Sequence, residues 1–275
     1  MSRKHWTSEK LFYRLLTNSS TRTYWDNIRE LRRRPSSSVH SHAIQLCKSN
    51  SENEIQIGVD VLAQLGFHPN PRFGKTETLK MYFSLLDENI SPKTLSKVLS
   101  GIGWNNENLS SNRIKKLLKF INHPFSEVRY ALVHALMGLE NSIAVNAMII
   151  LTRDSHPLIR DWATFSIGSQ IVTCDPNIIE ALWQRIDDDP VIRKEAIIGL
   201  ASRKDKGVKE ILKKELINID NHGSPILEAI VLMEDMDFIE LLDKQIFLNR
   251  DKQTVPEDWL SGCKKQLLES QSKDE

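Results

Sequence analysis

The sequence predicts an all-α protein, an α-solenoid of about six helix pairs forming a curved superhelix. Three observations carry this. Apolar or small residues recur in i, i+4 pairs at Gly58/Leu62, Val98/Ile102, Leu132/Leu136, Ala163/Ile167, Ala196/Leu200 and Ala229/Met233, each pair marking one face of a helix. The intervals along the second column are 40, 34, 31, 33 and 33 residues, the period of stacked helix-pair repeats. No run alternates apolar and polar residues across a hairpin-like turn, so strands are not expected.

Taken in order, residues 1–35 read as a basic N-terminal helical cap. Residues 1–34 hold nine Lys/Arg against three Asp/Glu, and Leu31-Arg-Arg-Arg-Pro35 ends a helix before a serine-rich turn. Residues 36–245 form the solenoid. Its first helices are predicted over 39–47, 79–86, 114–121, 143–151, 178–186 and 208–217, interleaved with second helices that carry the two columns. Such pairs cannot bury an apolar face alone, so each must stack on its neighbours. The segment Gly66-Phe-His-Pro-Asn-Pro-Arg-Phe-Gly74 is the longest interruption and reads as a surface excursion, with a binding loop as the alternative. Residues 246–275 read as an acidic C-terminal cap and disordered tail, with the last ten or so residues outside any helix. Residues 234–275 hold six Lys/Arg against eleven Asp/Glu, so charge is polarised along the chain.

Three turns share an aliphatic residue and an arginine: His123-Pro-Phe-Ser-Glu-Val-Arg129, Asp154-Ser-His-Pro-Leu-Ile-Arg160 and Asp187-Asp-Asp-Pro-Val-Ile-Arg193. With the helices that follow, Leu158-Ile-Arg-Asp-Trp-Ala-Thr-Phe-Ser-Ile-Gly168 and Val191-Ile-Arg-Lys-Glu-Ala-Ile-Ile-Gly-Leu-Ala201, they resemble HEAT repeats, of the bacterial kind grouped with phycocyanobilin-lyase HEAT-like repeats. Ile55-Gln-Ile-Gly-Val-Asp-Val-Leu-Ala-Gln-Leu-Gly66 looks like an earlier repeat of the same kind. The resemblance covers residues 36–245. It implies the helix-pair fold, whereas in function such repeats serve adaptors, scaffolds, lyases and DNA-repair proteins alike.

Composition narrows the classes. Of 275 residues, 40% are hydrophobic and 27% charged, with 11 Gly and 10 Pro, which excludes a disordered or collagen-like chain. The longest aliphatic run, Ala147-Met-Ile-Ile-Leu151, is far shorter than the roughly 18–20 residues of a membrane span, so no membrane association is expected. The first residues lack an apolar signal-peptide core, and three well-separated cysteines, Cys47, Cys174 and Cys263, fit a reducing cytoplasm. A net charge of +1 and a pI near 7.7 speak against a dedicated nucleic-acid-binding domain.

Candidate chemistry is sparse. Gly74-Lys75-Thr76 lacks the earlier glycine and the preceding strand of a phosphate-binding loop. His40 and His42 would project about 200° apart on a helix and share no metal ion, with or without Cys47. The His-Glu pairs of iron-binding HEAT-repeat hydroxylases do not occur, and no nucleophile elbow is present. No catalytic residue, metal or cofactor is therefore assigned. Arg129, Arg160 and Arg193 are expected to form a structural ladder, bonding the acidic turns at Asp154 and Asp187. Ile55, Leu95 and Ile226 stand in the arginine's place in the outer repeats, so the ladder is confined to the centre.

Counted from the arginine, positions two, five and nine should face a concave surface. There Trp104, His134, Trp162, Phe165 and Ile198 form an apolar stripe flanked by Glu195 and Glu228, which is either a partner groove or, if strong curvature packs neighbouring second helices together, a seam that buries Trp162 and Phe165 between repeats. The expected partner is a protein or peptide, with the chain acting as a non-enzymatic scaffold or adaptor. An alternative is a relative of the HEAT-like alkylation-repair DNA glycosylases, with Asp161, Trp162 and Arg160 as its nearest candidates. The columns also carry Asp60 and Asp235 against Lys97 alone, which disfavours phosphate. A chromophore-lyase-like role rests on the repeat resemblance and has no identifiable acid or nucleophile.

Overall fold

The computed structural model describes residues 3–18, 20–66 and 72–271, with the side chains of 252, 257 and 271 excepted. The described residues form helices and connecting turns, with no strand among them. In chain order the α-helices are α1 (Ser8–Thr17), α2 (Thr21–Arg32), α3 (Ser37–Cys47), α4 (Glu52–Ala63), α5 (Lys75–Leu85), α6 (Pro92–Gly103), α7 (Ser111–Leu117) and α8 (Ser126–Leu136). They continue as α9 (Ser142–Leu151), α10 (Pro157–Phe165), α11 (Pro176–Trp183), α12 (Pro190–Ser202), α13 (Lys209–Ile217), α14 (Ser224–Met233), α15 (Phe238–Lys252) and α16 (Glu257–Gln271). Each predicted first helix is present as an odd-numbered element from α3 to α13, and each predicted second helix as an even-numbered one from α4 to α14. Each flank adds a further pair.

Local chemistry starts these helices where they start. Side chains of Ser36, Ser91, Ser110, Asp175 and Asp189 accept hydrogen bonds from amides in the first turns of α3, α6, α7, α11 and α12. Proline opens α6, α10, α11, α12 and α14, where its missing N–H costs nothing. All six column pairs are buried, Val98, Ile102, Leu132, Leu136, Ala163, Ile167, Ala196 and Leu200 completely so.

The helices pack into two compact units, Met1–Ala144 and Val145–Glu275. In the first, the second helices α2, α4, α6 and α8 stack in sequence, with α3 against α5 behind them. In the second, α10, α12, α14 and α16 stack, with α13 against α15. Here α10 runs on into a π-helical turn, Ser166–Gln170, which lies against α12 so closely that a Cβ on Gly199 would sit 2.7 Å from the Cα of Gly168. Arg203, just past α12, clamps the same place. Its Nη1 donates to the carbonyls of Gly168 and Gly199 (both 2.9 Å), and its Nη2 to those of Ile167 (2.7 Å) and Ile171 (2.6 Å).

One expectation about the C-terminal flank is corrected. The helix α16 runs through Gln271 because Leu260, Cys263 and Leu267 form a buried face against α14 and α15, so helix replaces most of the expected tail. Residues 272–275 lie outside the described residues. So do 67–71, the centre of the loop read as a surface excursion.

Candidate functional site

In the first unit the exposed sides of α2, α4, α6 and α8 enclose a groove of ≈ 470 Å³ bordered by Trp25 and Trp104. Its floor is a charged network. Asp60, buried on α4, accepts a 2.5 Å hydrogen bond from the Tyr24 hydroxyl and pairs with the Lys97 ammonium. That ammonium lies 5.6 Å from the Tyr24 ring and 5.3 Å from the Trp25 ring. Arg32 donates twice to the Asp60 carbonyl (2.8 and 2.6 Å) and once to Gln64 (2.7 Å). Burial, and then the adjacent Asp60 carboxylate, push the Tyr24 phenol up, so it stays a neutral donor.

Trp104 caps α6 and is 43% exposed. Its ring meets His134 edge-on at 5.2 Å, and Arg72 lies 5.9 Å over it. His134 is half-buried on α8 and rests on Gly103, where any Cβ would come within 2.2 Å of its Nδ1. Burial holds the imidazole below its ordinary range, so it is neutral near pH 7. Of these residues, Trp104 and His134 belong to the stripe expected from the sequence, and Asp60 and Lys97 to the same repeat columns. Tyr24, Trp25 and Arg32 lie in residues 1–35, outside those columns.

In the second unit the corresponding face belongs to α10, α12 and α14. Trp162 is 37% exposed and meets the half-buried Phe165 edge-on, with ring centroids 5.8 Å apart. Asp161 and Glu195 are half-buried and Glu228 exposed. Burial raises the Asp161 and Glu195 carboxyls above their ordinary range, and Asp161 and Glu228 add repulsion at Glu195. None of the three forms an ion pair within 4.0 Å among the described residues. The predicted stripe is corrected at one point: Ile198 is only 8% exposed, because α12 is packed by α10 on one side and α14 on the other.

Arg129 and Arg160 bond to the turns around them, and the carboxylate partners of Arg160 and Arg193 differ from those expected. Arg129 donates to the carbonyls of His123 (2.7 Å) and Pro124 (3.3 Å), and Arg160 likewise to those of Asp154 (3.1 Å) and Ser155 (3.3 Å), five and six residues upstream in both cases. The carboxylate that binds Arg160 is Asp188, bidentate at 2.9 and 2.8 Å. Arg185 also bonds Asp188 at 2.9 Å. Arg193 pairs with Glu215 at 2.8 Å. Asp154 thus serves Arg160 through its backbone, while its carboxylate accepts from the amide of His156 (2.8 Å). Asp187 is exposed beside the residue that does the pairing.

Elsewhere, His40 contacts Thr78 at 3.1 Å and His42 stacks on Phe12 at 4.1 Å, so the two rings have separate partners. Lys75 pairs with Glu107. No cluster of three or more His, Cys, Asp or Glu suited to a metal ion occurs among the described residues.

Stacked helix pairs with these turns define the class as an α-solenoid, and a family model described as HEAT repeats matches residues 114–201. Protein YibA of Escherichia coli strain K12 is 28% identical over 136 residues, and protein YibA of Escherichia coli O157:H7 is identical to the same extent. The alignment spans 47% of this chain and 46% of those proteins, so the chain covers about half the length of the curated relatives it matches. An X-ray structure of Escherichia coli YibA superposes with a TM-score of 0.75 at 21% identity, covering 96% of this chain and 93% of that one. The two share a fold.

Proposed function

We propose that this chain is a cytoplasmic, non-enzymatic scaffold that binds a protein or peptide on the exposed side of its second helices, and that the second unit takes a basic segment. The observation that carries this reading is the face of α10, α12 and α14. Asp161 and Glu228 each repel Glu195 there, none of the three forms an ion pair within 4.0 Å among the described residues, and Trp162 is exposed next to Asp161. A lysine or arginine from a partner would relieve that repulsion, and the indole would supply apolar contact area. The groove between Trp25 and Trp104 offers a second contact surface, in which Asp60 and Lys97 already pair with each other. Within the HEAT class, the phycocyanobilin-lyase kind is supported by the sequence resemblance of residues 158–168 and 191–201, with residues 55–66 as an earlier repeat of that kind.

The same acidity disfavours the DNA-glycosylase reading. Phosphate binding depends on clustered, available cations, whereas Arg160 is committed to Asp188 and to two carbonyls. The test is binding of fluorescent peptides of lysine/arginine-rich and of aspartate/glutamate-rich composition to the intact chain. Preference for the basic set, lost in Trp162→Ala and in Glu195→Lys, is expected. Equal binding of both sets, or excision of bases from alkylated DNA, would overturn the proposal.

A further inference from the structure

On α10, Leu158 and Trp162 stand four residues apart and so share one side of the helix, where they are 44% and 37% exposed. Val191, on the α12 helix stacked against it, stands two residues before its repeat's arginine, as Leu158 does on α10, and is 57% exposed. Three large apolar side chains are thus open to solvent on two neighbouring helices of one unit. Carboxylates accompany them. Asp161 precedes Trp162, Glu195 follows Val191 by four residues and so shares that side of α12, and Glu228 stands on α14, the next helix in the stack. Lys194, the cation beside Glu195 in sequence, donates to the His222 carbonyl (3.4 Å).

Stacked helices stand about 8–10 Å apart, so the face from α10 to α14 is about 20 Å wide. An extended strand laid across it would bring backbone N–H and C=O groups against Leu158, Trp162 and Val191. The three carboxylates accept hydrogen bonds but donate none, so the strand's carbonyls would give up water and gain no partner among them. An α-helix brings its backbone bonds with it and offers side chains alone. About 14 residues of helix, at about 1.5 Å each, cover the same 20 Å. Cations seven residues apart on one side of such a helix are separated by about 10 Å, which matches the step between successive stacked helices such as those bearing Glu195 and Glu228.

Resting on the reading that the second unit takes a basic segment, we propose that this segment is an amphipathic α-helix, its apolar stripe on Leu158, Trp162 and Val191 and its lysines or arginines over Asp161, Glu195 and Glu228. The exposed apolar side chains select the helical form, and the carboxylates select its charge.

Four dye-labelled peptides of about 14 residues, titrated with the intact chain by fluorescence anisotropy, test this. They are a lysine/leucine sequence in amphipathic order, the same composition scrambled, the amphipathic sequence with a central proline, and its glutamate/leucine counterpart. The amphipathic lysine peptide should bind at least tenfold more tightly than the scrambled and proline peptides, and in isotope-labelled form it should take helical chemical shifts when bound. Leu158→Ser and Val191→Ser alter exposed side chains and should keep the wild-type helical spectrum. Together they should weaken the amphipathic peptide at least tenfold and the scrambled one by no more than about twofold. A scrambled lysine peptide that binds as tightly as the amphipathic one overturns the helix while the preference for a basic segment stands, as does an amphipathic peptide that stays non-helical when bound. A glutamate peptide that binds as tightly as the lysine one, or no binding of any peptide at about 1 mM, overturns the basic segment and the helix together.

Discussion

Replacing Gly199 by alanine adds one methyl group where the π-helical turn after α10 meets α12. The new Cβ would stand 2.7 Å from the Cα of Gly168 and 2.9 Å from Leu182 Cδ1. The leucine can rotate away but the backbone atom cannot, so the overpacking cost belongs near the top of its usual range, about 3 kcal/mol. Alanine's better helix propensity returns about 1 kcal/mol, leaving a net loss of about 2 kcal/mol. The matched control is Gly262→Ala in the interior of α16, where the added Cβ meets nothing within 4 Å and only the propensity gain of about 1 kcal/mol applies. Urea titration and thermal melting of both variants provide the assay. Gly199→Ala should melt about 4–8 °C below wild type and Gly262→Ala about 2–4 °C above it. Because Gly168 lies three residues beyond Phe165 and Gly199 four beyond Glu195, forcing the two backbones apart should also weaken binding of a basic peptide. Equal stabilisation by both alanines would refute the close approach and the site geometry built on it.

Three other outcomes are expected. Glu195→Gln should raise stability at neutral pH while weakening the partner, since a carboxyl whose folded-state pKa is raised destabilises the fold wherever it is ionised; the gain should vanish in denaturation series taken below the ordinary value of 4.5. Asp188→Asn should cost about 1–3 kcal/mol at neutral pH; the Arg160 hydrogen bonds hold this carboxyl below its ordinary 3.8, so the wild-type advantage is complete above that value and is lost as the pH falls below it, which acid titrations of both proteins will show. Trp162→Ala should weaken a basic peptide by about 2 kcal/mol with a smaller effect on melting, while Ile198→Ala should do the reverse, losing about 2–5 kcal/mol of stability; calorimetry of binding and of unfolding separates them.

The core was legible because it is written at short range. Residues such as Leu132 and Leu136 sit four apart on one helix, so the pattern identifies the buried face without knowledge of any partner. The polar contacts were not legible, because they join residues far apart in the chain. Asp188 reaches Arg160 across 28 positions, and nothing local distinguishes it from Asp187 or Asp154. Ile198 is covered by the packing of α10 and α14 against α12, which its position within its own helix does not reveal. The groove at Trp25 was lost for a related reason: its residues come from four helices, and the first of these lies in a flank whose net charge suggested a cap.

The Arg203 guanidinium has a mechanical consequence. A solenoid stretched from its ends should peel one repeat at a time, each releasing about 33 residues, or roughly 115 Å of extended chain. Arg203 sits after α12 but holds three carbonyls at the end of the α10 repeat, so detaching that repeat under tension means breaking these bonds at once. In an optical trap those two repeats should yield in one event of roughly 230 Å, and Arg203→Met should split it into two ordinary steps.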